Sequence, residues 1–445
     1  MAANPLAEAA VQAVELEAFA KGIPDYVPNF RTIYNLIKKR SKTFPTAVTT
    51  AAGGVARPAF RIPVRVQSGA AIFQATGNGD ALGRGTGSTY IGGDITPVGL
   101  FAGCEITYLA RIATQGPKRS LISLRADELK NSFNSFMRGV DAQFLSDGAG
   151  AVLQLPSTGC TVNNNTLAAP NVSSIVGMGG QANQLQEQQV VQFFLAEGGS
   201  PRSGTATVSY VDGANDTVYF STALPSGTAA GDYIVIQGST GALNSGVAGI
   251  YTYQVASNTG TILNLSRANY PGQLSTPNIA KGGQPINTTD GYKAQILIKR
   301  GLGDDTEYAD EFEWICGVDQ ELAVTQLYTQ VLTQNYVPPG DKALDMAKKN
   351  MSPTFGGRKL TVTVTARQGR LDGICPETWG IVETVEPSLY DFGDGVTTMP
   401  IPDFVGQGSY LTSSIFFYNA FLNLYNGNMK AAVYISGAAV PVVTS

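Results

Sequence analysis

The residues that could carry out chemistry are few, and their spacing limits what they could do. Two pairs of carboxylates stand out, Asp304 with Asp305 and Glu311 with Glu313. The second pair is two residues apart, which would place both side chains on one face of a strand. Such a pair could bind a cation or share a proton. A solvated charged edge is the simpler interpretation, so we predict no metal site here.

The residues that usually carry out nucleophilic or metal-dependent catalysis are either absent from the chain or far apart in it. The chain has no histidine, which is the commonest general base and a frequent transition-metal ligand. Cys104, Cys160, Cys316 and Cys375 are far apart, without the paired spacing of a zinc or redox motif. We interpret them as ordinary semi-buried thiols, and we predict no catalytic residue, no cofactor and no bound metal.

Two glycine-rich stretches, residues 77–79 (GNG) and 83–87 (GRGTG), superficially resemble phosphate-binding loops. Neither ends in the Gly-Lys-Ser/Thr sequence, and neither lies between a predicted strand and a predicted helix. We therefore predict no nucleotide binding.

The composition indicates a surface that meets other protein. Only 14% of the 445 residues are charged, while 51 are glycine, and a typical chain has about a quarter charged residues. The net charge of −4 argues against a protein whose main task is binding nucleic acid. Neither a signal peptide nor a membrane helix is predicted, and we expect a soluble protein made in a cytoplasm.

Charge is unevenly distributed along the chain. Residues 26–79 contain no acid but many bases, and residues 304–341 contain many acids but no base. Two interpretations stay open: both segments are solvated faces, or a basic arm reaches an acidic segment on a neighbouring copy. The candidate intersubunit contacts are Arg31, Lys38, Lys39, Arg40, Arg57, Arg61, Arg65, Arg84, Asp304, Asp305, Glu311 and Glu313.

Hydrophobic periodicity predicts the elements that position these residues. Spacings of about four residues indicate helices over 5–21, 30–39 and 126–147, the last with an apolar stripe from Leu129 to Phe144. Residues 58–112 are predicted to form a long hairpin, with the strand from Phe60 to Val66 joined to a strand at Ile106.

The second half of the chain is predicted to be mainly β. Short segments between residues 190 and 284, GIYTYQV and GTILNLSR among them, indicate an antiparallel barrel or sandwich. Residues 288–300 fit either a helix or a strand. A strand over 312–316, a helix capped by Asp319, a strand over 359–367 and closing strands over 415–425 and 431–436 follow.

This order of elements resembles the major capsid protein of tailed bacteriophages with the HK97-type fold. The helix ending DAQFLSDGAG (residues 141–150) looks like the end of that family's spine helix, and GIYTYQVASNTGTILNLSRANYPGQLS (residues 249–275) looks like an inserted β module of such proteins. The resemblance covers nearly the whole chain, although its motifs are loose patterns.

The resemblance implies an α+β, HK97-like fold with an inserted all-β module. Its parts would be an N-terminal arm (1–57), an E-loop hairpin (58–118), a peripheral domain with the spine helix (119–185), the β module (186–285), an axial domain (286–378) and the closing strands of the core (379–445).

The resemblance also implies function and partners. Copies would assemble as pentamers and hexamers into an icosahedral shell around phage double-stranded DNA, located in the virion and made in the host bacterial cytoplasm. Contact with DNA would be non-specific, through the backbone only. Scaffolding and portal proteins, and possible cement proteins, would be further partners. No membrane would be a partner.

One departure from the family is informative. Some members join subunits covalently through an E-loop lysine and an asparagine of a neighbour, but no lysine occurs here between Arg57 and Pro117. We predict no such crosslink, because non-covalent burial over an obligate interface of about 2,000 Å² or more suffices.

Three alternatives remain. A tail-tube or surface-layer protein would also be β-rich, poor in charge and self-assembling, but the helix directly after a long hairpin favours the capsid. An enzyme using two carboxylates on carbohydrate would need paired acids in a cleft. An encapsulin would share the fold and enclose protein instead of DNA.

Overall fold

The structure, a computed structural model, describes residues 32–38, 47–52, 55–67, 87–107, 124–148, 151–156, 159–164, 173–195, 200–236, 246–302, 311–334, 354–393, 395–402 and 410–439. The helix predicted over residues 5–21 lies outside these ranges.

The described helices are α1 (Thr32–Lys38), α2 (Leu124–Gln143), α3 (Ile250–Tyr253), α4 (Thr288–Leu302) and α5 (Val318–Gln334), with 3-10 turns at Ala182–Gln184, Arg267–Asn269, Pro376–Thr378 and Met429–Ala431. The strands are β1 (Ala47–Ala52), β2 (Val55–Gln67), β3 (Thr89–Ile95), β4 (Val98–Thr107), β5 (Ala151–Gln154), β6 (Thr161–Asn163), β7 (Ser173–Val176), β8 (Val190–Phe194), β9 (Ala206–Asp212), β10 (Thr217–Phe220), β11 (Tyr233–Ile236), β12 (Thr261–Ile262), β13 (Leu265–Ser266), β14 (Asn278–Ala280), β15 (Glu313–Cys316), β16 (Thr354–Phe355), β17 (Arg358–Val362), β18 (Leu371–Ile374), β19 (Trp379–Leu389), β20 (Met399–Pro402), β21 (Tyr410–Asn426) and β22 (Val433–Ser436).

The chain divides into two compact units. The first consists of residues 1–31, 98–141 and 383–422, and the second consists of residues 32–97, 142–382 and 423–445.

The first unit is built on the long strand β21. β4 pairs with it antiparallel from Ser413 to Leu422, and β19 and β20 pair with it as well. Helix α2 packs on one face of this sheet, where the Tyr418 hydroxyl donates a hydrogen bond to the Leu129 carbonyl at 2.6 Å. The rings of Phe133 and Phe136 lie 5.4 and 6.1 Å from the Tyr418 ring. The predicted apolar stripe therefore packs as expected.

Helix α2 confirms the predicted long helix but ends before residue 147. The next residues form turns with i→i+3 bonds, from Leu145 N–H to the Ala142 carbonyl and from Ser146 N–H to the Gln143 carbonyl. Such bonds tighten and end a helix. The Phe144 carbonyl instead accepts a hydrogen bond from the Ile250 N–H at 2.7 Å.

The second unit contains a six-stranded sheet in the order β14-β22-β18-β15-β17-β16. The pairs β14 with β22 and β15 with β17 are parallel, and β18 runs antiparallel to both of its neighbours. Helices α4 and α5 share one core cluster with this sheet, in which Ala294, Ile298 and Val324 pack with Trp314 and Cys316. Both helices therefore lie on the same face of the sheet.

A seven-stranded antiparallel sheet, ordered β5-β11-β8-β9-β10-β7-β6, spans residues 151–236 of the second unit. The predicted β module, residues 186–285, shares strands β8 to β11 with this sheet, and its bounds stay a prediction. The early strands were missed because they are only three or four residues long, and alternation needs longer runs to be recognised.

The predicted strand GIYTYQV is wrong, because Ile250–Tyr253 forms the short helix α3. Ile250, Tyr251 and Tyr253 are all buried. A short apolar run fits a strand buried on both faces as well as a buried helical turn, so periodicity alone does not separate the two. The ambiguous residues 288–300 form helix α4.

The strand predicted over 359–367 ends at Val362. The hydroxyls of Thr363 and Thr365 are buried and 2.9 Å apart, so local side-chain bonding turns the chain where alternation predicted a longer strand. Asp319 does not cap α5. The N–H groups of Gln320 and Glu321 bond to the Gly317 carbonyl.

The predicted hairpin is only partly correct. β2 pairs with β3 and β1 in a three-stranded sheet, whereas the strand that contains Ile106 pairs with β21. Alternation shows that a segment is a strand but does not identify its partner.

The Arg202–Asp232 ion pair provides a test of the seven-stranded sheet. Arg202 Nε and Nη2 lie 2.6 and 2.7 Å from the Asp232 carboxylate, which is buried at the start of β11. We predict that Asp232→Ala lowers the free energy of unfolding by about 3–5 kcal/mol, because it leaves a largely buried guanidinium unpaired. Urea denaturation followed by circular dichroism measures this.

The control is Lys359→Ala, which removes a more exposed pair with Glu313 and should cost about 0–1 kcal/mol. Equal losses in the two variants would contradict the prediction.

Candidate assembly surfaces

The predicted contact residues are only partly described. Arg31, Lys39, Arg40, Arg84, Asp304 and Asp305 lie outside the described residues. For Lys38 and Arg57 the structure describes only the backbone, in α1 and β2. The side chains of Arg61, Arg65, Glu311 and Glu313 are described.

Arg61 and Arg65 lie on the exposed face of β2. Arg61 Nε is 2.9 Å from Asp94 Oδ1 on β3, and Nη2 is 3.3 Å from Oδ2. The hydrogen bond with Asp94 raises the pKa of Arg61. Arg65 is in register with Tyr90, which is also exposed, so the outward face of this hairpin combines a cation with an aromatic ring.

The opposite face of the hairpin is fixed to its own chain. Asp94 N–H donates to the Leu263 carbonyl at 3.0 Å, and Gln273 Nε2 donates to the Val66 carbonyl at 3.0 Å. A Cβ at Gly93 would lie 3.0 Å from Leu263 Cβ, so the two segments are in close contact.

Of the two carboxylate pairs, only Glu311 and Glu313 are described. Glu313 accepts a hydrogen bond from Lys359 Nζ at 3.2 Å, Glu311 is exposed, and Phe312 between them is buried. Within the described ranges, no group of three or more cysteine, aspartate and glutamate side chains could hold a metal ion.

The four cysteines are free thiols, with Cys316 and Cys375 buried and Cys104 and Cys160 partly exposed, as predicted. Burial raises the pKa of Cys160, Cys316 and Cys375. Because the thiolate is the reactive form, these thiols are poor nucleophiles.

Arg370 is largely buried, and two of its neighbours have shifted pKa values. Its guanidinium lies 4.3 Å from the Tyr251 ring centroid and 4.5 Å from that of Tyr434. Its Nε donates to Asp372 at 2.7 Å and its Nη2 to Gln254 at 3.2 Å. Burial raises the pKa of Tyr251 to about 12, and it raises the pKa of Asp372 against the opposing effect of Arg370.

Perturbed pKa values often mark functional sites. Here, however, the cluster of Arg370, Tyr251, Tyr434 and Asp372 joins separate segments of the chain. Arg367 also lies over the Tyr251 ring, at 4.6 Å, and its backbone N–H donates to the Tyr251 hydroxyl at 3.0 Å. We interpret this group as structural.

Sequence reasoning missed an aromatic face on the sheet of the first unit, opposite α2. We define it as Phe101, Tyr390, Phe392, Phe417 and Phe421. The Phe101 ring meets the Phe421 ring edge-on at 5.5 Å and the Tyr390 ring at 6.2 Å. Phe392 contacts Tyr390 at 5.1 Å and Phe417 at 6.0 Å. Phe101 remains 55% exposed.

Two glycines make room for this aromatic face. Gly99 and Gly103 are opposite Phe421 and Phe417 in the β4–β21 register, and a Cβ at either glycine would lie 2.8 Å from the facing ring. Glycines two residues either side of Phe101 were the available signal in the sequence.

Helix α4 presents a second exposed surface. We define the α4 outer face as its solvent-exposed residues: Thr289, Tyr292, Lys293, Ile296, Lys299 and Arg300. Tyr292 and Ile296 are one turn apart, which places them side by side, and they are 58% and 48% exposed.

The inner face of α4 is held firmly. Asp290 is buried, and its carboxylate accepts hydrogen bonds from Lys281 Nζ and the Asn287 N–H, each at 2.8 Å. A Cβ at Gly291 would lie 2.7 Å from Gly356 Cα. The orientation of the outer face is therefore fixed.

None of the described helices has the length and hydrophobicity needed to cross a membrane.

Comparison with known proteins identifies the fold. No protein-family profile and no curated protein matches the sequence. Among solved structures, the chain is similar to the Cyanophage A-1(L) capsid asymmetric unit, with 9% identity, a TM-score of 0.53 and coverage of 96% of both chains. It also aligns with an empty GTA particle capsid (10% identity, TM-score 0.45, 98% of this chain and 100% of that chain) and with a Synechococcus elongatus encapsulin complex (9% identity, TM-score 0.42, 100% and 99%).

The similarity to the cyanophage capsid subunit extends over nearly the whole of both chains. The predicted α+β, HK97-like capsid fold is confirmed.

The aromatic face yields a packing prediction. Gly103→Ala should lower the free energy of unfolding by about 1–3 kcal/mol, because the added methyl group overlaps the Phe417 ring. Thermal unfolding measures the change. Phe417→Leu in the same chain should recover part of the loss. Gly272→Ala is the control, since nothing lies within 4 Å of that Cβ position, and equal effects of the two alanines would refute the packing.

Asp290 yields a pH prediction. Burial alone would raise its pKa, but the hydrogen bonds from Lys281 and Asn287 outweigh burial, so the pKa lies below its ordinary value. An unfolded aspartate has a pKa of about 3.9. The carboxylate therefore stabilises the fold above that pH, and this contribution is lost as the pH falls through the folded-state pKa.

Asp290→Asn should reduce the free energy of unfolding at pH 7 and flatten its decline below about pH 4. Urea denaturation at a series of pH values tests this, with exposed Glu187→Gln as the control. An acid dependence unchanged from wild type would show that Asp290 does not contribute as described.

Proposed function

We propose that the protein is a major capsid protein, which assembles as pentamers and hexamers into an icosahedral shell that encloses phage double-stranded DNA. The observation that carries the proposal is the shared fold with a cyanophage capsid subunit over 96% of both chains. Chains this different in sequence keep one fold through conserved packing, but fold alone does not imply function.

The surfaces described above support assembly. Isolated soluble proteins seldom expose large apolar patches, and extended ones mark protein contacts. Here the aromatic face and the α4 outer face belong to different compact units. Each unit of a copy thus has a surface suited to another protein chain.

The charge distribution supports a limited role for DNA. With a net charge of −4, the chain does not attract nucleic acid overall. The bases of residues 26–79 would make backbone contacts with packaged DNA that carry no sequence information. The candidate contacts from Arg31 to Arg84 serve this role or pair with acids on neighbouring copies, and Asp304, Asp305 and Glu311 are the acids proposed for that pairing.

Arg61 and Glu313 contribute less to such contacts than their sequence position indicates. Each already has an ion-pair partner in its own chain, Asp94 and Lys359. Arg65, beside Tyr90 on the exposed face of the hairpin, is the stronger candidate of the described bases.

The proposed role is structural, without a catalytic step, and places the protein in the virion after synthesis in the host bacterial cytoplasm. Scaffolding and portal proteins are the partners that we propose for such a shell, with cement proteins as a further candidate. We assign the N-terminal arm to residues 1–57, the E-loop to 58–118 and the peripheral domain to 119–185. We assign the β module to 186–285, the axial domain to 286–378 and the closing strands of the core to 379–445.

Electron microscopy of the purified protein tests the proposal. We expect closed shells with icosahedral symmetry. Tubes or flat sheets would instead support a tail-tube or surface-layer protein, and a monomer that never assembles at high concentration would contradict a shell subunit. Shells that contain protein and exclude DNA after isolation from infected cells would favour an encapsulin.

The same particles test how subunits are joined. Because no lysine lies between Arg57 and Pro117, we expect boiled shells to run as a single monomer band in SDS gels. A ladder of covalent multimers would contradict non-covalent assembly.

A further inference from the structure

We propose that the turn between β12 and β13 is a latch, which holds the β2–β3 hairpin of the same copy in the orientation that assembly uses. We define the latch as the contact of Leu263 with Gly93 and Asp94. The contact itself lies within one chain, whereas its role in assembly rests on the proposed function.

The turn has an unusual residue at its first position. β12 and β13 pair antiparallel, with Ile262 in register with Leu265, so Leu263 and Asn264 form a two-residue loop. Both have positive φ, 53° and 60°, as in the type I′ turns of hairpins. Asparagine is common in this conformation, whereas a leucine there is an outlier that costs free energy. A local turn preference therefore does not account for Leu263.

Contacts with β3 offset this cost. The Leu263 carbonyl accepts a hydrogen bond from the Asp94 N–H at 3.0 Å. The Leu263 side chain occupies the space beside Gly93, where a Cβ would lie 3.0 Å from Leu263 Cβ and 3.2 Å from Cδ1. Gly93 is in register with Ile62, which is buried. Leu263 thus extends the buried face of the hairpin at a position where β3 has no side chain of its own.

The latch lies at the edge of the three-stranded sheet. β3 is the outer strand of the order β1-β2-β3, and an open strand edge presents unpaired N–H and carbonyl groups. The Leu263 carbonyl pairs one of these groups. A second tie, from Gln273 Nε2 to the Val66 carbonyl at 3.0 Å, holds β2. Both ties lie within the second unit, so together they fix the direction of the hairpin relative to residues 261–273.

This direction determines where the exposed face of the hairpin points. Arg65 and Tyr90 are in register on that face, and Tyr90 is 61% exposed. A surface that is already oriented loses less conformational freedom on binding than a mobile one. We therefore expect a closed latch to lower the protein concentration at which copies assemble.

A plain structural turn is the competing explanation. It predicts that Leu263→Asn leaves the hairpin unchanged or stabilises it, because asparagine suits a positive φ. The latch predicts the opposite, because the contact of the leucine side chain with β3 is lost although the turn itself forms more easily.

Hydrogen exchange of the unassembled full chain, followed by mass spectrometry, separates these two explanations. In Leu263→Asn we expect the peptide that contains Asp94 to exchange roughly tenfold faster than in wild type. Peptides from β18 and β22 should keep their wild-type rates. Unchanged or slower exchange of the Asp94 peptide would overturn the inference.

Gly93→Ala tests the same contact from the side of β3, because the added methyl group crowds Leu263. It should also speed exchange of the Asp94 peptide, and it decides the question if Leu263→Asn raises exchange throughout the chain. The control is Gly87→Ala, just before β3, since nothing lies within 4 Å of that Cβ position. Equal exchange of the Asp94 peptide in the two alanine variants would count against the latch.

Light scattering at a series of protein concentrations tests the role in assembly. We expect Leu263→Asn to form shells only at a concentration several-fold higher than wild type, because its hairpin must be ordered during assembly. Gly87→Ala should match wild type. If Leu263→Asn exchanges faster at Asp94 yet assembles like wild type, the latch has no role in assembly and the inference is wrong.

Failure of the latch is distinguishable from failure of the proposed function. A wild-type chain that never forms closed shells contradicts the proposed function, while the exchange measurement still tests the contact. Wild-type shells together with unchanged exchange in Leu263→Asn overturn the latch alone.

Discussion

Arg370 lies between two aromatic rings and beside a buried carboxylate, and this one contact joins separate parts of the second unit. Tyr251 belongs to α3, Tyr434 to β22 and Asp372 to β18. Removing a guanidinium from water is costly, and the cost is offset only when hydrogen bonds and stacking are all in place. The contact therefore requires a defined arrangement of these segments.

The fixed core determines which surfaces remain for other molecules. In the first unit, helix α2 covers one face of the sheet, and the residues on the other face must be solvated or meet a partner. There, rows of glycine and phenylalanine on neighbouring strands form the aromatic face on that side. In the second unit, α4 is held through Asp290 and Gly291, so Tyr292 and Ile296 stay exposed. A chain with 14% charged residues has little else with which to solvate such faces.

Charge runs in the sequence do not distinguish contacts within a copy from contacts between copies. The acid-free and base-free segments indicated pairing between subunits, yet Arg61 pairs with Asp94 and Glu313 with Lys359 in the same chain. A strand brings residues together that are 33 or 46 positions apart, and short-range patterns contain no information on such distances. Lys299 and Arg300 lie outside both charge runs, and only helix α4 places them beside Tyr292 and Ile296.

By itself, the sequence determined that no histidine is available for chemistry, and it predicted the long helix that packs through Phe133 and Phe136, the strand around Phe417, and the order of elements that indicated the capsid fold. These follow from residue types and local periodicity, which depend on neighbours three or four positions away. Only the tertiary structure decided that β3 is the partner of β2, that the strand with Ile106 pairs with β21, and that one seven-stranded sheet spans residues 151–236. Strand pairing and burial are settled by contacts between distant segments, and short alternating segments of similar composition compete for the same partners until the whole core is packed.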